Sequence, residues 1–177
     1  MDEIILPAQQ MPMRTGRLFL GDYLASSHEE KVTSLIERNV TYILSLGFEV
    51  SPFELFQHSV AQAYSFQGPA QACGCQGSAQ AYSFHCYAWS IEDNPQVWRQ
   101  MKSLLPDIVE LLHSLLSSGH NVYVHCHAGI SRSATVVIYY LMRYHGLSYS
   151  TARGLVQCYR PIICPNSGFA QALQELA

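Results

Sequence analysis

Cys126-His127-Ala128-Gly129-Ile130-Ser131-Arg132 brings a thiol, a glycine and a guanidinium together within seven residues. A short apolar run, Asn121-Val122-Tyr123-Val124-His125, precedes it, and a run of helical character from Ser133 to Tyr144 comes after it. A strand feeding a loop that opens a helix makes an anion site: the loop amides turn inward and the helix N-terminus carries partial positive charge. Six amides, from His127 to Arg132, can ring the three non-bridging oxygens of a phosphate, and Gly129 permits the bend this needs. Arg132 adds a planar fork that matches two of those oxygens better than a lysine would. A free thiol, with a pKa of about 8.5, is largely protonated at neutrality, but a helix N-terminus and a nearby cation favour the thiolate. The pattern predicts that Cys126 attacks a phosphate held by His127, Ala128, Gly129, Ile130, Ser131 and Arg132. A buried, inert cysteine is the reading for Cys126 taken alone, and the joint pattern outweighs it.

A zinc site built from His125, Cys126 and His127 is the metal-binding alternative. No CxxC pair accompanies it, and strand alternation sends Cys126 to the face opposite the histidines, so no metal is expected. The six cysteines are scattered over strand, helix and glycine-rich stretches, which favours reduced thiols over a disulfide framework. Cys86 is read as a packed strand cysteine, with a resolving thiol for oxidised Cys126 as the alternative.

The elements that must position the loop are legible from periodicity. The 177 residues are 49% apolar, enough for one domain with a real core. Only 13% are charged and the net charge is −3, which gives nucleic acid or a membrane surface no bulk attraction. The longest apolar runs are too short to span a bilayer. Asp2 and Glu3 stand where a secretory signal would be basic, and Asp2 where myristoylation needs glycine. A cytoplasmic protein is expected, with the nucleus also open; the sequence does not fix its oligomeric state.

Residues 1–14 read as a loosely held tail. Arg17-Leu18-Phe19-Leu20 reads as a strand ended by a Gly21-Asp22 turn, His28 to Arg38 as a helix, and Val40 to Leu46 and Phe84 to Trp89 as further strands. A long helix is expected from Pro95, capped by Asn94, to Ser118-Gly119, with a kink or a break at Pro106. Helices capped by Ser148 and started near Asn166 complete the chain. Strands interleaved with helices predict an α/β fold: a three-layer α/β/α sandwich with a mostly parallel central sheet of about five strands.

Ala61-Gln62-Ala63-Tyr64-Ser65-Phe66 recurs letter for letter as Ala79-Gln80-Ala81-Tyr82-Ser83-Phe84. Glycine, proline and polar residues fill the space between, so about 60–83 reads as a duplicated insertion in a surface loop. The two copies could compete for one strand slot and misplace the segment downstream of it.

His125-Cys126-x-x-Gly129-x-x-Arg132-Ser133 resembles the signature loop of the protein tyrosine phosphatase superfamily. Its fuller form, through Ala134, resembles the small atypical dual-specificity phosphatase branch. Leu18-Phe19-Leu20-Gly21-Asp22, Thr41 to Leu46, Ile91-Glu92-Asp93-Asn94-Pro95, and Arg160-Pro161 with Pro165-Asn166 are similar to further segments of that family. The resemblance covers roughly residues 15–177, apart from the insertion, and implies one catalytic domain there.

The resemblance implies roles for further residues. An alkoxide or phenoxide leaves poorly without a proton, and Asp93 is the implied acid, with Glu92 as the alternative and a turn carboxylate as the plain reading. A helix N-terminus just after it favours the carboxylate, so bound phosphate charge must keep that proton in place. Ser133 stands where the family uses a hydroxyl to assist breakdown of the phosphocysteine, and His125 is expected to orient the loop. The implied reaction runs through a cysteinyl-phosphate without metal or organic cofactor, on phosphotyrosine and phosphoserine/threonine of phosphoprotein substrates. Lysines that phosphoinositide-directed relatives carry in this loop are replaced by His127, Ala128, Ile130 and Ser131. The alternatives are a non-protein phosphate ester (lipid, glucan or RNA end) and a catalytically impaired phosphate-binding adaptor.

Overall fold

The computed structural model describes residues 1–6, 15–23, 28–52 and 84–177. Five strands form one sheet: β1 (Asp2–Ile4), β2 (Leu18–Asp22), β3 (Val40–Leu46), β4 (His85–Trp89) and β5 (Asn121–Cys126), in the order β1-β2-β5-β3-β4. β2, β5, β3 and β4 run parallel, and β1 is antiparallel to β2. The helices are α1 (His28–Glu37), α2 (Trp98–Ser117), α3 (Arg132–His145), α4 (Tyr149–Tyr159) and α5 (Ser167–Glu175).

Strand alternation sorts the core into two faces. Leu18, Leu20, Leu44, Leu46, Val122, Val124 and Cys126 face α2, α3, α4 and α5. Phe19, Ile43 and Tyr123 face the other way, where Val32 and Leu35 of α1 cover them. The sheet therefore has helices on both sides, as its near-continuous apolar strands require. β2, β5 and β3 lie side by side, and their C-terminal ends meet where the loop after Cys126 begins.

Several expectations need correction. The tail over residues 1–14 is in part β1: Asp2, Glu3 and Ile4 pair with Leu20, Phe19 and Leu18, and Ile4 is buried. One apolar side chain and three ladder positions suffice to dock a segment too short to show periodicity. Gly21-Asp22 is not a turn but the end of β2, paired with His125 and Cys126. Gly21 is there because of crowding: a Cβ would lie 2.5 Å from the Tyr123 hydroxyl. The helix expected from Pro95 starts as a 3-10 turn, Pro95–Val97, with Asn94 Oδ1 accepting from the Gln96 amide; α2 comes next.

Pro106 does not divide α2, which runs unbroken from Trp98 to Ser117. A mid-helix proline costs about 3 kcal/mol. The same helix buries Met101, Leu105, Ile108, Val109, Leu112, Leu115 and Leu116 on one face, each worth about 1.5–3 kcal/mol, while Pro106 is exposed. Packing wins by a wide margin. The cap expected at Ser148 forms, accepting from the Thr151 amide, and Asn166, expected near the start of the last helix, caps it by accepting from the Phe169 amide.

The duplicated insertion, about 60–83, lies outside the described residues. Phe84, which ends the second copy of the repeated hexapeptide, is buried and directly precedes β4, the strand that carries the chain toward Asp93. No helix among the described residues is long and apolar enough to cross a membrane.

Candidate active site

The loop between β5 and α3 is held from outside by its carbonyls. Tyr23 donates its amide to the carbonyls of Cys126 and His127, both at 3.0 Å. Arg160 donates Nε to the Gly129 carbonyl at 2.8 Å and Nη2 to the Ala128 carbonyl at 3.1 Å. The Cys164 amide takes the Ile130 carbonyl at 2.9 Å. The Ser131 carbonyl accepts from the Thr135 amide and hydroxyl, each at 2.9 Å. Every carbonyl from Cys126 to Ser131 is thus engaged by a group outside the loop. There are no cis peptide bonds among the described residues, and in a trans peptide C=O and N–H point opposite ways. The amides of His127, Ala128, Gly129, Ile130, Ser131 and Arg132 are therefore turned away from those outer partners, toward the inside of the loop.

Gly129 makes this winding possible. Its φ is +66°, and a Cβ there would lie 2.4 Å from the Gly21 carbonyl oxygen and 2.7 Å from Arg160 Nη2. Conformation and crowding both exclude a side chain.

Cys126 ends β5 and is 1% exposed. The Ser133 hydroxyl, itself fully buried, donates to its sulfur at 3.2 Å. Arg132 opens α3 and reaches back along the loop. Its Nη1 donates to the Ile91 carbonyl at 3.3 Å, and its Nε lies 3.6 Å from Asp93 Oδ2, an ion pair too long for a hydrogen bond. Asp93 lies beyond β4, in the bend before the 3-10 turn at Pro95, remote from the loop in sequence. Its Oδ1 accepts from the Ser131 hydroxyl and from Asn166 Nδ2, both at 2.8 Å. Of the two neighbouring carboxylates, Asp93 is the one brought to the loop; Glu92 is exposed beside it.

His125 is wholly buried, and burial pushes its imidazole down to about 3, so it is neutral. Nδ1 lies 3.4 Å from the Cys126 carbonyl, which can only accept, so the proton sits on Nδ1. Nε2 then accepts from the Ser45 hydroxyl at 2.8 Å, and Ser45 accepts from Ser51 at 2.8 Å. This relay fixes the carbonyl at the start of the loop. His127 instead is exposed and stacks on Phe48, with ring centroids 4.6 Å apart. Both histidine rings lie against Tyr23 and Phe48, His125 buried and His127 exposed, while Cys126 packs into the core on the other face of the sheet. Among the described residues no group of three His, Cys, Asp or Glu could hold a metal ion.

The rear of the loop holds residues to which sequence reasoning assigns no role. Arg160 is 7% exposed; besides the two loop carbonyls it pairs with Asp22 Oδ2 at 3.0 Å and Asp2 Oδ2 at 2.6 Å. Lys31 donates to Asp22 Oδ1 at 2.7 Å and to its carbonyl at 2.6 Å. The Tyr123 hydroxyl also donates to that carbonyl, and burial with the Asp22 charge raises the phenol's pKa well above its usual value. The signal available was a set of charges within otherwise apolar elements. Cys86 cannot serve Cys126: it stands opposite Ile43, which stands opposite Tyr123. Two strand spacings of about 4.8 Å and three residues of about 3.3 Å separate the two cysteines, beyond the ~7 Å reach of a disulfide.

Residues 22–177 match the family model of the dual specificity phosphatase catalytic domain. The chain belongs to the dual specificity phosphatase family. It is 43% identical over 86 residues to dual specificity protein phosphatase 15 of Rattus norvegicus, covering 49% of this chain and 36% of that protein. It is 29% identical over 157 residues to dual specificity protein phosphatase MPK-4 of Drosophila melanogaster, covering 89% of this chain and 33% of that one. The chain thus spans about a third of the length of these two curated relatives. Among solved structures it resembles the human tyrosine phosphatase-like serine/threonine/tyrosine-interacting protein, with TM-score 0.63, 31% identity, and 90% and 89% of the two chains covered. Human DUSP28 is similarly close, with TM-score 0.63, 26% identity and 89% of each chain covered. The sandwich architecture expected from the sequence is the fold of these dual-specificity phosphatases.

Proposed function

We propose that this chain is a cysteine-dependent phosphatase that hydrolyses phosphotyrosine and phosphoserine/threonine on phosphoproteins. The observation that carries this reading is the loop whose outward carbonyls leave six inward amides around Cys126. Such a ring binds a phosphate dianion and stabilises the charge that builds on its equatorial oxygens in the transition state. Arg132 joins it, turning from Ile91 and Asp93 to two phosphate oxygens as a bidentate fork.

The Cys126 thiolate attacks phosphorus in line, the bond to the ester oxygen breaks, and Asp93 gives that oxygen its proton. The resulting cysteinyl-phosphate is then attacked by water, whose proton returns to Asp93, and inorganic phosphate leaves with Cys126 again a thiolate. The Ser133 hydroxyl, already donating to Sγ, stabilises the departing thiolate in this second step. Ser131 and Asn166 hold Asp93 over the loop. His125 keeps the loop entrance in register.

Phosphoproteins fit better than inositol lipids because the loop carries no lysine for additional phosphates. The adaptor alternative has a parallel in one structural neighbour, a tyrosine phosphatase-like interacting protein. The presence here of Cys126, Arg132, Asp93 and Ser133 around one loop supports hydrolysis instead. Turnover of p-nitrophenyl phosphate by wild type, Cys126→Ser and Asp93→Ala tests the reading. Turnover by wild type and none by Cys126→Ser is expected. An inert wild type overturns the enzyme, and an active Cys126→Ser overturns the mechanism.

A further inference from the structure

Arg160 is the only side chain found to hold two of the loop carbonyls among the described residues, and its own orientation is set elsewhere. Its guanidinium is planar, so fixing both terminal nitrogens fixes the direction of Nε as well. Nη2 is shared between Asp22 Oδ2 and the Ala128 carbonyl, and Nη1 is held by Asp2 Oδ2 at 2.6 Å. Asp2 lies on β1, the three-residue antiparallel strand at the sheet edge, and its side chain is 35% exposed while that of Arg160 is 8% exposed. The cations Lys31 and Arg160 behind the loop are met there by Asp22 and Asp2.

We propose that Asp2 is a positioning residue for the phosphate site, acting through Arg160. The Ala128 and Gly129 carbonyls share their peptide planes with the Gly129 and Ile130 amides. A guanidinium that keeps those carbonyls outward keeps those two amides inward, toward the phosphate. Without Asp2 one end of the fork is released, the buried cations outweigh Asp22, and the Arg160 plane is free to tilt. The N-terminal strand is thereby part of the active site's supporting structure, although it lies 124 residues before Cys126 in the chain. Glu3, its neighbour on β1, pairs instead with Arg17 on the far side of the ladder. Glu3 helps to hold the strand without touching Arg160.

This inference rests on the reading of the loop as a phosphate site, so phosphate binding and turnover are measured separately. Inorganic phosphate is titrated by calorimetry, and kcat and KM are determined on p-nitrophenyl phosphate. The proteins compared are the 177-residue wild type, Asp2→Ala, Asp2→Glu and Glu3→Gln. Asp2→Ala is expected to weaken inorganic phosphate binding and raise KM by about tenfold, with a smaller fall in kcat. Asp2→Glu should restore most of the affinity, and Glu3→Gln should leave it at the wild-type level. If Asp2→Ala does not fold, Asp2→Asn replaces it, with a smaller loss in the same direction. Wild-type phosphate affinity in Asp2→Ala, or in the Asp2→Asn that replaces it, overturns the proposal, as does an equal loss in Glu3→Gln, which would make β1 a general stabiliser. A wild type that neither binds phosphate nor turns over substrate overturns the phosphatase reading instead.

Discussion

The two sides of the phosphate loop are built on different principles. The inner side is local: Cys126, the amides to Arg132, and Ser133 lie within eight consecutive residues, and Asp93 alone comes from elsewhere. The outer side is assembled from the whole chain. Asp2, Asp22 and Tyr23, Ser45 and Ser51, and Arg160 and Cys164 come from separate segments spread from one end to the other. The inner side presents donors to a ligand, while the outer side consumes the same peptides' acceptors. A trans peptide couples the two, so the chemistry inside is only as well placed as the partners outside.

The comparison is sharpened by substitutions on each side. Asp93→Asn removes the proton donor with little change in shape and should lower kcat by about 10²–10⁴-fold. The loss should shrink for leaving groups of low pKa, which steady-state rates on a series of aryl phosphates would reveal. On the outer side, Arg160→Met removes the partner of Asp2 and of Asp22 Oδ2, leaving Lys31 on Asp22 Oδ1, and frees two carbonyls. Breaking a buried ion pair costs about 3–5 kcal/mol, so urea unfolding should show a loss of that order together with reduced turnover. An Arg160→Met protein of native stability and full activity would break the proposed coupling between the two sides.

Ser133→Ala is expected to slow phosphoenzyme breakdown more than its formation. Pre-steady-state release of p-nitrophenol should then show a burst that the wild type lacks or shows weakly, with kcat lower by about tenfold.

Acidification probes the outer side again. His125 has its folded pKa at about 3 against an ordinary value near 6.5, so the unfolded chain binds more protons between those limits. Stability from this group is complete above about pH 6.5 and falls by about 1.4 kcal/mol per pH unit below it. Burial lowers His113 and His145 as well, and they act in the same direction. Denaturant unfolding at a series of pH values should show a shallower decline between pH 6 and 4 for His125→Asn than for wild type. The smallest effect is expected from deleting residues 62–79, one copy of the duplication. If the insertion is dispensable, kcat/KM should stay at the wild-type value.

The inner side was legible in the sequence because its parts are contiguous. One strand, one glycine-bearing loop and one helix start can be read from adjacent residues, and the apolar periodicities of β3, β5 and α3 point to the same fold. The outer side was not. Gly21-Asp22 carries a local turn signal, but the ladder to His125 and Cys126 and the crowding by Tyr123 override it. Arg160 meets Gly129 across 31 residues and Asp2 across 158, pairings to which no local propensity points. β1 is too short for periodicity, and Pro106 looks like a breaker until the buried face of α2 is counted. Ser45 and Ser51 read as ordinary polar residues until His125, buried and neutral, supplies their partner.

The central claim is that the loop holds phosphate so that Cys126 can take it covalently. Asp93→Ala should let the intermediate accumulate, because both its formation and the activation of water need that carboxylate, and p-nitrophenyl phosphate, with its good leaving group, depends less on the first. Acid quenching during turnover of radiolabelled p-nitrophenyl phosphate, with peptide mapping afterwards, tests this directly. Label on the peptide containing Cys126, absent in Cys126→Ser, is the result predicted. Turnover that continues with no label on that cysteine, or with label on another residue, would contradict the account.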